Sequence, residues 1–220
     1  MSIEEYFGDW LDVFDVCSLK STVSVLNREY SNHQVTLSYK DIFRAFRLCT
    51  KKDCKCVFIG QDPYPQKNVA TGVLFGNKEG TINLSPSLEI IKEAVINYEV
   101  EHNNINFDCT LESWGKQGIL MLNSALTCEV NKVGSHSMLW RPFMSKFLSN
   151  LSNSTVGMLY VLFGTQAETF KPYINEVNNT VIKVLHPAYY ARVKQKMPRE
   201  IFLYINDFVK RHYGESIKWY

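Results

Sequence analysis

The chain has 220 residues, of which 45% are hydrophobic and 21% charged, proportions that suit one globular domain with a sizeable core; no run approaches the roughly 18 apolar residues of a membrane helix. A formal net charge of +2 announces no polyanionic partner, and the acidic, aromatic start MSIEEYFGDW lacks the marks of a signal or transit peptide, which predicts a cytoplasmic protein, or one of the host cytoplasm or nucleus for a viral chain. Six cysteines in a chain of this size and compartment are expected as free thiols, and the C-x-C of Cys54 and Cys56 has neither zinc spacing nor a partner pair, so no metal site is predicted.

Tyr39 to Arg47 carries the first helical pattern. Cys56 to Ile59 follows as an apolar run too continuous for a half-exposed strand, and it ends in Gly60-Gln61-Asp62. Ser85-Pro86-Ser87 opens the clearest helix, with serine at the N-cap, proline at the first helical position, and Leu88, Ile91, Ala94, Val95 and Tyr98 at helical spacing. A second buried strand, Ile119 to Leu122, ends in Asn123-Ser124 and precedes a helix over Arg141 to Asn150. The third, Leu159 to Phe163, ends in Gly164-Thr165 before a helical pattern from Gln166 to Tyr173. The fourth, Val181 to Leu185, ends in His186-Pro187, and Arg199 to Arg211 is the last helix. Strands alternating with helices, with no linker or repeat, predict a single α/β domain over residues 1–220: three layers, α/β/α, around a central, mostly parallel four-stranded sheet. In such sheets the carboxyl ends of the strands open onto one crevice. A carboxylate, an amide and an imidazole are therefore expected around one pocket. Lys51, Lys52 and Lys55, and later Arg192, Lys194, Lys196 and Arg199, stand near these stretches in sequence.

The motifs between the elements carry a resemblance. KDIFRAFR, GQDPYP, TGVLF, SPSL, LESWGKQGILMLN, SALT, GSHS, LFGTQA and HP are similar in order and spacing to those of family 1 uracil-DNA glycosylases. The match runs from about Lys40 to Tyr190, with a weaker echo in Ile217-Lys218-Trp219. The resemblance implies a monofunctional enzyme, free of cofactor and metal, that hydrolyses the N-glycosidic bond of a flipped-out uracil in DNA and leaves an abasic site for base excision repair. Such cleavage needs a site that stabilises an oxocarbenium-like sugar and an anionic leaving base, and a pocket that holds the everted base.

By that resemblance Asp62 positions the attacking water and stabilises the sugar cation, while His186 hydrogen-bonds uracil O2 as a neutral donor. Asn123 presents a donor and an acceptor to the O4 and N3–H edge that distinguishes uracil from cytosine. Tyr64 crowds C5 against thymine's methyl group, Phe75 stacks on the base, and Gln61 helps to hold O2 or the water. DNA phosphates would be gripped by short loops at Pro63, Ser85-Pro86-Ser87, Gly164-Thr165, and Ala188, Tyr189, Tyr190 and Arg192. Ser135-His136 is given a supporting role. Taken singly, each residue has a plainer reading: a turn aspartate, a structural histidine, a strand-ending asparagine, core aromatics, ordinary caps. It is the set of motifs in register that favours the catalytic reading.

Departures from the family pattern bear on DNA handling. Where the family reads HPSPLS, with serines on phosphates and a leucine wedge, this chain has His186-Pro187-Ala188-Tyr189-Tyr190-Ala191, so Tyr190 stands at the wedge position. Pro65 and Thr71 replace family histidines. The implied partner is uracil-containing DNA, single- or double-stranded, bound by a monomer; protein inhibitors that mimic DNA bind some family members. Two rival readings are a DNA-binding scaffold with dispensable catalysis, and an enzyme for a modified pyrimidine, which Tyr64 opposes.

Overall fold

The centre of the computed structural model, which describes residues 3–96 and 106–220, is a sheet of four parallel strands. These are β1 (Cys56–Gly60), β2 (Ile119–Asn123), β3 (Leu159–Phe163) and β4 (Thr180–Val184), in the order β2-β1-β3-β4. Successive side chains on a strand point to opposite faces, and here both faces are covered. Val57, Ile59, Leu120, Leu122, Tyr160 and Leu162 join one core with Trp10, Phe14, Phe46, Trp140, Phe143 and Phe147. Cys56, Phe58, Met121, Leu159, Val161 and Phe163 join the other with Leu88, Ile91, Val95, Trp114, Phe202 and Ile205. Coverage on both sides is why β1, β2 and β3 are unbroken apolar runs, buried at every position. The fold is the expected three-layer α/β/α arrangement.

In chain order the helices are α1 (Ile3–Phe7), α2 (Val16–Asn32), α3 (Arg44–Leu48), α4 (Pro86–Ile96), α5 (Glu112–Lys116), α6 (Ser137–Ser154), α7 (Gly164–Glu168), α8 (Pro187–Val193) and α9 (Glu200–Tyr213). Four of them, α1, α2, α5 and α8, have no counterpart among the expected elements. In α2, Asp15 caps Ser18 N, and Val16, Leu19, Val23, Leu26 and Tyr30 fall at helical spacing; interspersed Ser, Thr and Asn dilute that signal. In α8, a segment expected as a loop is helical, with Pro187 at its first position. The pattern over Tyr39 to Arg47 splits into a 3-10 turn, Tyr39–Asp41, and α3, and that over Gln166 to Tyr173 into α7 and a 3-10 turn, Lys171–Tyr173. Helix α6 begins four residues before Arg141 and tolerates Pro142 within it. Edge strand β4 is shifted by one residue and leaves Leu185 about half exposed. The expectation for Tyr98 falls outside the described residues.

All six cysteines are unpaired, as expected. Lys51, Lys52 and Lys55 lie at the amino end of β1, opposite the carboxyl edge, with Lys51 paired to Asp12 at 2.5 Å and Lys55 to Glu215. Their nearness to GQDPYP is sequential only. Ile217 and Trp219 are buried, and the Trp219 carbonyl accepts from Trp114 Nε1 at 3.0 Å, so the terminal echo is packing. Among the described residues no helix is long and apolar enough to cross a membrane.

Candidate active site

Register fixes where the polar residues emerge. Gly60 pairs with Asn123 and Phe163 with Val184, so the carboxyl edge of the sheet releases Gln61-Asp62, Asn123, Gly164 and, two residues past β4, His186. The chain leaves β1 for one side of the sheet and β3 for the other, which puts the ligand crevice of such folds at this edge. Position 60 has no room for a side chain: a Cβ there would lie 2.3 Å from Leu74 Cδ1 and 3.2 Å from the Asn123 amide oxygen.

The GQDPYP turn is pinned through its carbonyls. Gln61 O accepts from Ala125 N and from Ser124 Oγ, each at 3.0 Å; Pro63 O accepts from the Cys128 thiol at 3.6 Å, and Pro65 O from Asn131 N at 2.9 Å. The two prolines fix φ between these anchors. Asp62 Oδ2 accepts from Gly134 N at 2.9 Å, whereas Oδ1 is buried with no donor among the described residues. Burial pushes the Asp62 pKa up, against the Gly134 N–H and the Gln61 side chain, which pull it down. The result is a fixed carboxylate with one bare oxygen, able to accept from a water or face a developing cation.

His186 caps α8, its Nδ1 accepting from Ala188 N at 3.1 Å. An accepting nitrogen carries no proton, so the neutral ring holds its hydrogen on Nε2. Burial lowers the His186 pKa and favours that neutral form. Beneath the ring, Gly164 adopts φ +83°, and a Cβ on it would come within 3.0 Å of His186 Cβ. The Phe75 ring meets His186 at 5.4 Å and Phe163 at 5.2 Å, both edge to face. Phe75 itself has φ 62°, a left-handed conformation that costs a bulky residue about 1–3 kcal/mol and persists where the surroundings impose it. Tyr64 Oη contributes by donating to the Phe75 carbonyl at 3.0 Å. Asn123 is 8% exposed, and its amide oxygen has no donor among the described residues.

One cavity of about 300 Å³ gathers these groups: Gln61, Asp62, Pro63, Tyr64, Phe75, Ser87, Asn123, His186 and Ala188 all line it, with Pro65, residues 70–74 and Val133. Such a volume is at the small end of ligand pockets. Pro63 is buried, with its carbonyl turned to Cys128, and serves as wall. Ser85 and Pro86 line a second cavity of about 260 Å³ that shares Tyr64. Gly164, Thr165, Tyr189, Tyr190 and Arg192 are absent from the walls of the main cavity. Thr165 is exposed in α7.

Tyr190, which stands at the position of the family's leucine wedge, points inward in this structure. Tyr190 is 8% exposed and packs in the core with Met197 and Phe202. Helix α8 turns successive side chains by about 100°, so Tyr190 goes inward while Tyr189 faces out at 37% exposure, with the Arg192 guanidinium 5.8 Å from its ring centre.

Ser124 and Gly134 stand in the quoted SALT and GSHS motifs without a role of their own, and Val133 went unnoticed. Gly134 and Ala125 act through backbone N–H groups, which leave no residue-type signal. Next to Gly134, Ser135 Oγ accepts from Glu129 N at 2.8 Å, and buried His136 Nδ1 bonds Thr127 Oγ1 at 2.8 Å. Among the described residues no three or more His, Cys, Asp or Glu side chains are grouped to hold a metal ion.

The fold and motifs have known relatives. The family model described as the uracil DNA glycosylase superfamily matches residues 46–210. A uracil-DNA glycosylase of Mesomycoplasma hyopneumoniae is 34% identical over 199 residues, covering 88% of this chain and 87% of that protein. One from Buchnera aphidicola is 31% identical over 217 residues, covering 96% and 97%. Among solved structures, mimivirus uracil-DNA glycosylase superposes with a TM-score of 0.76 at 20% identity, covering 100% of this chain and 93% of that one. A substituted form of the mimivirus enzyme in complex with UGI gives 0.83 at 21%, covering 96% and 88%. On the family match and the curated relatives together, the chain belongs to the uracil-DNA glycosylase superfamily.

Proposed function

We propose that the chain is a family 1 uracil-DNA glycosylase, a single domain over residues 1–220 that acts as a monomer and hydrolyses the bond between deoxyribose C1′ and uracil N1 in DNA. One observation carries the reading: Asp62, Asn123 and His186 face the same small cavity, with Tyr64 and Phe75 in its wall. An everted uracil lies against Phe75, with the Asn123 amide on its O4 and N3–H edge and Tyr64 at C5. As the C1′–N1 bond breaks, its electron pair passes to the base and negative charge builds on O2, where the Nε2–H of neutral His186 donates. Asp62 faces the sugar cation and orients a water, whose oxygen bonds C1′ and whose proton leaves through the carboxylate. Because both groups are held before the reaction, little reorganisation is needed at the transition state.

DNA is gripped at its phosphates near Ser85, Pro86, Ser87, Gly164 and Thr165, and Tyr189 with Arg192 is the exposed pair beside the cavity for stacking on the strand. A DNA-mimicking inhibitor such as UGI would compete at this face. The test is incubation with a uracil-containing oligonucleotide in excess chelator, followed by alkali. Scission at uracil is expected; intact DNA with retained binding would point to a scaffold instead.

A further inference from the structure

The second cavity, of about 260 Å³, is bordered by the same two segments as the base cavity. Pro63, Tyr64 and Pro65 line the first, and Tyr64 with Gln66 and Asn68 the second; Ser87 lines the first, and Ser85 with Pro86 the second. Tyr64 is therefore the partition, held by its Oη donating to the Phe75 carbonyl at 3.0 Å. The rest of the second cavity is fixed as well. Buried Asn77, in its wall, grips Ser85 twice, Oδ1 accepting from Ser85 N at 2.8 Å and Nδ2 donating to Ser85 Oγ at 2.7 Å. Thr81 Oγ1 donates to the Lys78 carbonyl at 2.6 Å and closes the turn between these two wall residues. By contrast, the side chains of Gln66, Asn68, Lys78 and Asn83, also in the wall, have no hydrogen-bond or ion-pair partner among the described residues. Three of the four are amides, each with a donor and an acceptor side by side, the pattern that the edge of a nucleobase complements. An unprotonated phosphate presents acceptors only and would leave the three amide oxygens unmatched.

We infer that this cavity receives the base of one nucleotide next to the everted uracil in the same strand, read at its edge by Gln66, Asn68 and Asn83. This rests on the function proposed above and adds a subsite to it. The volume is close to the 300 Å³ or so of the cavity that takes the uracil, so the space suits one further base. A strand crossing Tyr64 from one cavity to the other stays against both segments throughout, with Ser85 and Pro86 beside its backbone. Since the cavity lies on one side of Tyr64, only one of the two neighbours of the uracil can enter it.

The test uses single-stranded oligonucleotides with one uracil, in which the nucleotide on its 5′ or its 3′ side is replaced by tetrahydrofuran, a baseless residue that alkali does not cleave. Excision, read as kcat/KM from alkali scission, should fall about tenfold with the baseless residue on one side and change little with it on the other, the scale of one or two neutral hydrogen bonds. In the double variant Gln66→Ala, Asn83→Ala, which removes two exposed side chains without partners in the protein, the two sides should become equal. Ile82→Ser is the control: Ile82 is 93% exposed in the same loop but outside the cavity wall, and the one-sided fall should persist. Fluorescence anisotropy of the same oligonucleotides on an Asp62→Asn background gives a readout independent of turnover, and the same one-sided loss of affinity is expected. Absence of scission at uracil in every oligonucleotide would defeat the proposed function and leave the anisotropy to judge the subsite. Excision or binding indifferent to both baseless neighbours, or a one-sided fall that survives in the double variant, overturns the inference.

Discussion

Replacing Asp62 with asparagine should abolish most activity and yet stabilise the fold. The carboxylate is half-buried, with Oδ1 bare and Oδ2 on Gly134 N. Leaving a buried acceptor unmade costs about 1–3 kcal/mol, more when it is charged. Partial exposure discounts that figure, and the new amide nitrogen also lacks a partner, so the net gain on Asp62→Asn is about 1 kcal/mol, or roughly 2–4 °C in Tm for a chain of this size. Loss of the charge at the reacting centre should lower kcat by roughly 10²–10⁴-fold. The sign of the pH dependence follows from the raised pKa. A carboxyl whose folded pKa exceeds its unfolded value destabilises once ionised, so the gain in Tm should be full above the folded pKa and vanish as pH falls through the ordinary carboxylate range. Thermal unfolding at several pH values, beside alkali-cleavage kinetics, checks both halves. A variant within tenfold of full activity, or one that melts several degrees lower at neutral pH, would refute the reasoning.

The pH profile of kcat/KM should be flat from neutral pH to about pH 8 and fall on the acid side, since the reaction needs Asp62 ionised and His186 neutral, and burial raises the first pKa and lowers the second. A rise in activity on acidification through pH 6.5 would show that His186 acts as a cation. The adjacent tyrosines should separate cleanly. Tyr190→Ala, a buried aromatic lost, should cost about 3 kcal/mol, or roughly 6–12 °C in Tm. Tyr189→Ala should leave Tm nearly unchanged and weaken binding to single-stranded DNA by about 1–3 kcal/mol, measured by fluorescence anisotropy. The reverse pattern would return the wedge to Tyr190.

Much of the site was legible because its parts sit at strand ends. Continuous apolar runs located β1, β2 and β3 closely, and the polar residue after each run marked the crevice. Edge strand β4 was harder: partly buried, with Lys183 exposed, it gives a weaker pattern, and its boundary moved by one residue. The likeness to HPSPLS aligns Tyr190 with the wedge position, but an alignment of positions does not say which faces helix α8 turns outward.

The account turns on Asn123 reading the edge of a base held in the cavity with Asp62 and His186, and Asn123→Asp tests that most directly. A carboxyl group offers an acceptor oxygen and, when protonated, an O–H donor, the complement of the N4–H donor and N3 acceptor of cytosine. Single-stranded oligonucleotides bearing one uracil or one cytosine, treated with the variant and then with alkali, should show new scission at cytosine and reduced scission at uracil. Uracil cleaved at the unsubstituted rate with cytosine untouched would contradict the account.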